Sequence, residues 1–191
     1  GKTIKFSCSM AFKLTWSGNY GGTKAASGTI AIGKKTSYSV KYDANGGSGA
    51  PSAQVKWYGT DLTLSSTKPT KTGYRFQGWA TSKDAITAAY AAKAAYKANE
   101  SVTLYAVWKA LTYTVKFNAN GGTGEPTGQT KTYGKDLTIT KTKPTRTNYT
   151  FLGWGTSKNS TTVSYKSGAT YSKNAAITLY AVWTLAYTKP R

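Results

Sequence analysis

The amino-acid sequence repeats itself once at an offset of 75 residues: Tyr38 aligns with Tyr113 and Trp108 with Trp183, without a gap. Of the 71 aligned positions, 39 are identical. A period of that length is too long for one coil of a solenoid and suits a small unit with its own core. The duplication therefore predicts two tandem domains, residues 38–108 and 113–184, joined by a link at 109–112 (Lys109, Ala110, Leu111 and Thr112) and followed by a tail at 185–191. So short a link limits how far the two can move relative to each other.

Within each copy the pattern is one of strands and turns. Tyr38, Val40 and Tyr42 alternate with Ser39 and Lys41, as Tyr113, Val115 and Phe117 do with Thr114 and Lys116, which marks a half-buried strand. Asn45-Gly46-Gly47 and Asn120-Gly121-Gly122 then end it in a turn that tolerates positive φ. Short strands are expected at 61–64 and 136–139, and Lys68-Pro69 and Lys143-Pro144 break the pairing because proline has no N–H to give a ladder. Further strands follow at 74–79 and 149–154, and each copy closes with one at 102–108 or 177–183. The alanine-rich stretch from Asp84 to Ala98 has the composition for a helical turn or two. Its copy, Asn159 to Lys173, is rich in Ser and Thr, which argues against a long shared helix.

Residues 1–37 are different in kind. Ile4, Phe6, Cys8, Met10, Phe12, Leu14 and Trp16 occupy every second position, which predicts a long strand with one apolar face. A glycine-rich turn at 18–22 leads to a second strand around Thr29 to Ile32. Two strands alone are marginal in water. The expectation is a β hairpin that ends a truncated β domain or that pairs with another copy, giving a homo-oligomer through residues 1–37.

The chemical inventory points away from catalysis. There is no His, one Cys, and six carboxylates, Asp43, Asp61, Asp84, Glu100, Glu125 and Asp136, scattered singly. General acid–base, nucleophilic and metal chemistry all draw on groups that this inventory does not pair. No enzyme activity, cofactor or metal site is expected. Gly28 to Thr36 brushes the phosphate-loop pattern, but Lys35 stands where a magnesium-binding hydroxyl belongs and the interior reads as strand. Asn99, Asn148 and Asn159 head short glycosylation-acceptor triplets that carry little weight by themselves. No apolar run approaches the roughly 18 residues of a membrane-spanning helix.

Twenty-six Lys and Arg against six Asp and Glu give a formal net charge of +20. Such a field attracts polyanions at low salt. Lys68, Lys71, Arg75, Lys141, Lys143 and Arg146 are the residues expected to touch an anionic surface. The spread of lysines along strands predicts a solvated outer face that also guards the sheet edges, and no motif for specific nucleic-acid recognition is present. The paired Gly-Trp and terminal Trp residues can be read as sugar-stacking platforms, but a large ring recurring at the same place in each repeat is read first as core.

The blocks Tyr113 to Gly122, Lys143 to Trp154 and Ile177 to Trp183, with the same landmarks in the first copy, resemble the Listeria–Bacteroides repeat, also called the internalin B-repeat. The departures are Asn148, where Gly73 keeps the usual glycine, and Ala80 or Gly155 after the tryptophan. The resemblance implies a mainly β, β-grasp-like module strung in tandem on extracellular bacterial proteins, with no catalytic residues to transfer. Such repeats also occur in phage tail and other virion proteins. The reading is thus a non-enzymatic structural or adhesion segment of the bacterial cell surface, a spacer presenting a neighbouring binding domain with weak contact to an anionic cell-wall glycopolymer or host surface. The alternatives are a bacteriophage tail or fibre protein in a virion and a carbohydrate-binding module. If the tryptophans are core, Trp154→Ala costs about 3–5 kcal/mol in chemical unfolding, enough to unfold a unit of this size.

Overall fold

The computed structural model describes residues 35–187, so the strands expected at Ile4 to Trp16 and Thr29 to Ile32 lie outside the described residues. The first repeat contributes β1 (Ser37–Asp43), β2 (Gln54–Trp57), β3 (Leu62–Thr63), β4 (Tyr74–Ala80), β5 (Ala95–Tyr96) and β6 (Val102–Ala110). The second contributes β7 (Thr112–Asn118), β8 (Gln129–Thr132), β9 (Leu137–Thr138), β10 (Tyr149–Gly155), β11 (Thr170–Tyr171) and β12 (Ile177–Leu185). No helix occurs among the described residues. Each repeat forms one four-stranded sheet, in the order β2-β1-β6-β4 and, in its copy, β8-β7-β12-β10. The first and last strands of a repeat run parallel at its centre, Val40 opposite Val102 and Val115 opposite Ile177, and the outer strands pair antiparallel.

Parallel neighbours cannot be joined by a tight turn. This β-grasp-like frame makes its crossover from β4 and a two-stranded ribbon, β3 with β5 or β9 with β11, instead of a helix. Asp84 to Ala98 accordingly forms no helix. Tyr90 and Tyr96 lie six positions apart, a spacing that no single helical face accommodates. Both rings are drawn to the core, where they meet edge-on with centres 5.6 Å apart. Lys93 takes φ 66, where its copy has Gly168 at φ 79, so burial of the tyrosines overrides the helix preference of the alanines.

The core of each repeat closes around one tryptophan. Trp79 and Trp154 are 0% exposed, and Leu64, Tyr96 and Leu104, or Ile139, Tyr171 and Leu179, surround them. Phe76 and Trp79 both face inward although three positions apart, which an unbroken strand forbids. The pairing of β4 with β6 shifts register between Phe76 and Gly78, and a β-bulge there restores the facing. Gly78 has φ 139, and a Cβ on it would lie 2.5 Å from the Tyr90 carbonyl. Trp79 N–H donates to that carbonyl at 2.7 Å and Tyr90 N–H returns the bond at 2.9 Å. The glycine thus admits the crossover strand close enough to cover the indole.

A second tryptophan locks the Asn-Gly-Gly turn. Trp108 Nε1 donates to Ala44 O at 2.9 Å and Trp183 Nε1 to Ala119 O at 3.0 Å. Asn45, at φ 49, donates its side-chain amide to Lys83 O at 2.7 Å and Ala106 O at 3.0 Å, and Asn120 repeats this with Lys158 and Ala181. One asparagine so ties the turn to the crossover and to the last strand. Burial pushes the Tyr96 and Tyr171 phenols above their ordinary value. Their contribution to stability is complete below roughly pH 10 and falls as pH rises through the raised values, because the unfolded chain ionises first.

Two glycines, Gly122 within the Asn-Gly-Gly turn and Gly124 two positions on, give a direct comparison. A Cβ on Gly122 would overlap the Thr145 carbonyl and lie 2.7 Å from Trp183, whereas one on Gly124 meets open space. Gly124→Ala is expected to cost about 1 kcal/mol, from its positive φ alone. Gly122→Ala should cost at least twice that, measured by urea unfolding.

Candidate anion-contact face

The lysines named from sequence fall in different settings. Lys141 and Lys143 leave the short strand β9 two positions apart, on one side of the segment that ends at the buried Pro144. With Lys166, Ser167, Phe151 and Leu152 they line an open cavity of about 470 Å³. Gly168, at φ 79, turns the chain so that Lys166 and Ser167 face this cavity, and the Lys141 stem lies 3.6 Å from where a Gly168 Cβ would stand. The Ser167 hydroxyl is buried and has no hydrogen-bond partner among the described residues. None of the three lysines is in an ion pair there; the one pair among the described residues is the exposed Lys97–Asp61 at 4.0 Å. Three lysines lining an open hollow, with no carboxylate in its lining, form a basic surface suited to an anionic oxygen, while the buried Ser167 hydroxyl lies behind it out of reach of solvent.

The first repeat lacks this site. In place of Lys141, Lys166, Ser167 and Leu152 it has Ser66, Ala91, Ala92 and Gln77, and it keeps one of the three lysines, the exposed Lys68. Lys71 and Arg146 share a different role. Lys71 Nζ lies 4.8 Å from the Tyr74 ring centre and donates to Asn45 O at 3.4 Å, and the Arg146 guanidinium lies 3.8 Å over Tyr149. These cations brace the start of the outer strands β4 and β10 against the Asn-Gly-Gly turn. Arg75 lines a separate cavity of about 310 Å³ with Gln77, Lys109 and the chain from Ala110 to Thr112.

Two lysines depart from the solvated face expected of them. Lys56 and Lys131 are 1% exposed. The Lys56 ammonium donates to Trp57 O at 2.9 Å and Asn99 Oδ1 at 2.8 Å; Lys131 does the same to Thr132 O at 2.8 Å and Asn174 Oδ1 at 3.0 Å. The same amide oxygens accept from Gly59 and Gly134 N–H, so Asn99, noted above only as a glycosylation triplet, joins the Tyr-Gly turn to the last strand. The signal was present in the duplication. Lys56 and Lys131 persist although both flanking residues differ between the copies, Val55 and Trp57 against Thr130 and Thr132. No comparable signal marks Lys166, which stands where the first copy has Ala91.

The ring geometry bears on sugar binding. Trp79 and Trp154 are inaccessible, and Trp108 and Trp183 are half-buried against the core. Trp57, on the edge strand β2, is 42% exposed with Lys35 Nζ 5.3 Å from its ring, and is the exposed tryptophan among the described residues. No group of three or more His, Cys, Asp or Glu converges among the described residues.

The repeat model described as the Listeria-Bacteroides repeat domain matches residues 38–107 and again 113–182. The chain is 32% identical over 180 residues to Internalin H of Listeria monocytogenes, covering 94% of this chain and 30% of that protein. It is 31% identical over 150 residues to a protein of Evansella cellulosilytica whose name classes it as a membrane protein, covering 76% and 22%. A second protein of that organism, named as Gly-rich and membrane, is 33% identical over 117 residues, 61% of this chain and 13% of its own length. The chain thus spans less than a third of each of these relatives. No solved structure gives a significant match.

Removing Asn174 separates structural from surface lysines. Asn174→Ala leaves the buried Lys131 ammonium one acceptor short and is expected to cost about 1.5–3 kcal/mol in chemical unfolding. Lys166→Ala is expected to stay within about 0.5 kcal/mol of the parent.

Proposed function

The chain belongs to the Listeria-Bacteroides repeat family, and on that premise we propose that it is a non-enzymatic structural segment of a bacterial cell-surface protein. Its work is geometric. Two folded units hold a neighbouring binding domain away from the surface, and the basic face adds weak contact with anionic wall glycopolymer. The observation that carries the contact is the hollow walled by Lys141, Lys143 and Lys166, cations without carboxylate partners among the described residues. Support for a role without catalysis comes from the aromatic residues, whose largest rings fill the cores, and from the carboxylates, which form no cluster with one another among the described residues. Asp43 accepts the Asn45 N–H at 2.7 Å and so caps a turn.

An electrostatic contact of this kind has a recognisable salt response, because the Debye length falls from about 10 Å at 0.1 M to about 3 Å at 1 M salt. Purified wall teichoic acid titrated against the full chain is the direct test. Replacing Lys141, Lys143 and Lys166 together by Ala is expected to weaken binding roughly tenfold at 0.1 M salt and to flatten its salt dependence, with thermal unfolding unchanged. Binding that survives the triple replacement, or that persists undiminished at about 0.5 M salt, would contradict the lysine contact and favour sugar stacking on an exposed ring such as Trp57.

A further inference from the structure

Leu111 is the one residue between β6 and β7, and it is held by both repeats. Its N–H donates to Gly73 O at 2.9 Å, and its carbonyl accepts from Tyr133 N–H at 2.9 Å. These bonds carry Tyr133 of the second repeat onto Gly73 of the first. A Cβ on Gly73 would overlap three atoms of the Tyr133 ring. Tyr74 meets the same ring edge-on, with centres 5.7 Å apart and planes at 68°. The glycine is the floor of a seat, and the tyrosine of the following repeat fills it.

The second repeat has the same backbone at the equivalent place but a different side chain. Asn148 stands where Gly73 stands, with the same left-handed backbone, φ 62 against 77. Its carbonyl accepts from Ala186 N–H at 2.9 Å, as Gly73 accepts from Leu111, so the chain leaves the two repeats in the same way. What differs is the floor, because Asn148 carries the Cβ that Gly73 lacks. At the other end Tyr58 stands where Tyr133 stands. Its N–H is bonded to Thr36 O at 3.0 Å, in the manner of Tyr133 with Leu111, and its residue is 62% exposed.

We propose that positions 73 and 148 decide whether a repeat takes up the tyrosine of the repeat that follows: Gly73 opens the seat for Tyr133, and Asn148 closes the equivalent seat to a further repeat of this type. Asparagine serves this purpose because it tolerates the left-handed conformation that the turn requires. The closure therefore leaves the repeat itself undisturbed. A packed aromatic contact cannot absorb an added carbon without moving one of its partners, so a docked joint becomes an undocked one through a single side chain. The inference concerns the joint alone and stands whether or not the lysine contact does.

The test moves the second repeat's residue into the occupied seat. In the full chain, Gly73→Asn is expected to keep both folds, seen as unchanged core signals of Trp79 and Trp154 in NMR spectra, because the same backbone already holds Asn148. In the parent, the Gly73 α-protons are expected to show contacts to the Tyr133 ring, and residual dipolar couplings of both repeats should fit one alignment tensor. In Gly73→Asn the ring contacts should be lost and the couplings should require two tensors. Tyr133→Ala, which empties the seat from the other side, should give the same split, and combining the two should add nothing further. A Gly73→Asn chain that retains a single tensor would overturn the proposal, as would a Tyr133→Ala chain that does so.

Discussion

Each repeat depends on burying one indole beneath a crossover that contains no helix. Trp79 and Trp154 sit against the parallel central strands, and their own backbone N–H and C=O groups bond the chain that covers them. Full burial leaves each indole N–H without a partner, a cost of about 1–3 kcal/mol that the surrounding apolar contact must exceed. The bulge at the preceding glycine, the edge-on contacts with Phe76 or Phe151, and the second tryptophan's bond to the Asn-Gly-Gly turn all serve to bring this cover into place. With a core this small, the loss of any one of them weakens the cover over the indole.

The duplication separates what the frame requires from what the individual repeat adds. Asparagines, glycines and tryptophans that shape the turn and core stand in both copies, as do the buried lysine and the asparagine that receives it. The differences collect at the surface: Lys141 and Lys166 against Ser66 and Ala91, Leu152 against Gln77, Asn148 against Gly73. Function specific to a repeat is therefore sought in these substitutions, and the lysine hollow and the joint each rest on one or more of them.

Much of this was legible in the amino-acid sequence. Alternation in Tyr38 to Tyr42, the Asn-Gly-Gly turns and the recurrence of Gly-Trp identified the main strands and the core, and the ordered blocks identified the family. The short strands β5 and β11 were not legible, since two residues carry no periodicity, and composition at Asp84 to Ala98 pointed to a helix that tyrosine burial excludes. Among site residues, Lys141 and Lys143 were named from the sequence as surface cations, and both line the same hollow. Lys166 joins them through a turn 23 residues later, a proximity that only the fold creates. Lys71 and Arg146 were read as surface cations, but stacking on Tyr74 and Tyr149 depends on a ring three positions away whose direction the sequence does not reveal.

The account rests on the duplicated rings being interior. Hydrogen exchange of the Trp79 and Trp154 indole N–H groups, followed by NMR with and without purified wall glycan, tests this most directly. The account predicts exchange only through unfolding of the repeat, with both signals unmoved by glycan. Rapid exchange in the native protein, or glycan-dependent shifts of these two indoles, would mean that the rings form a ligand surface and that the chain is not the structural frame described.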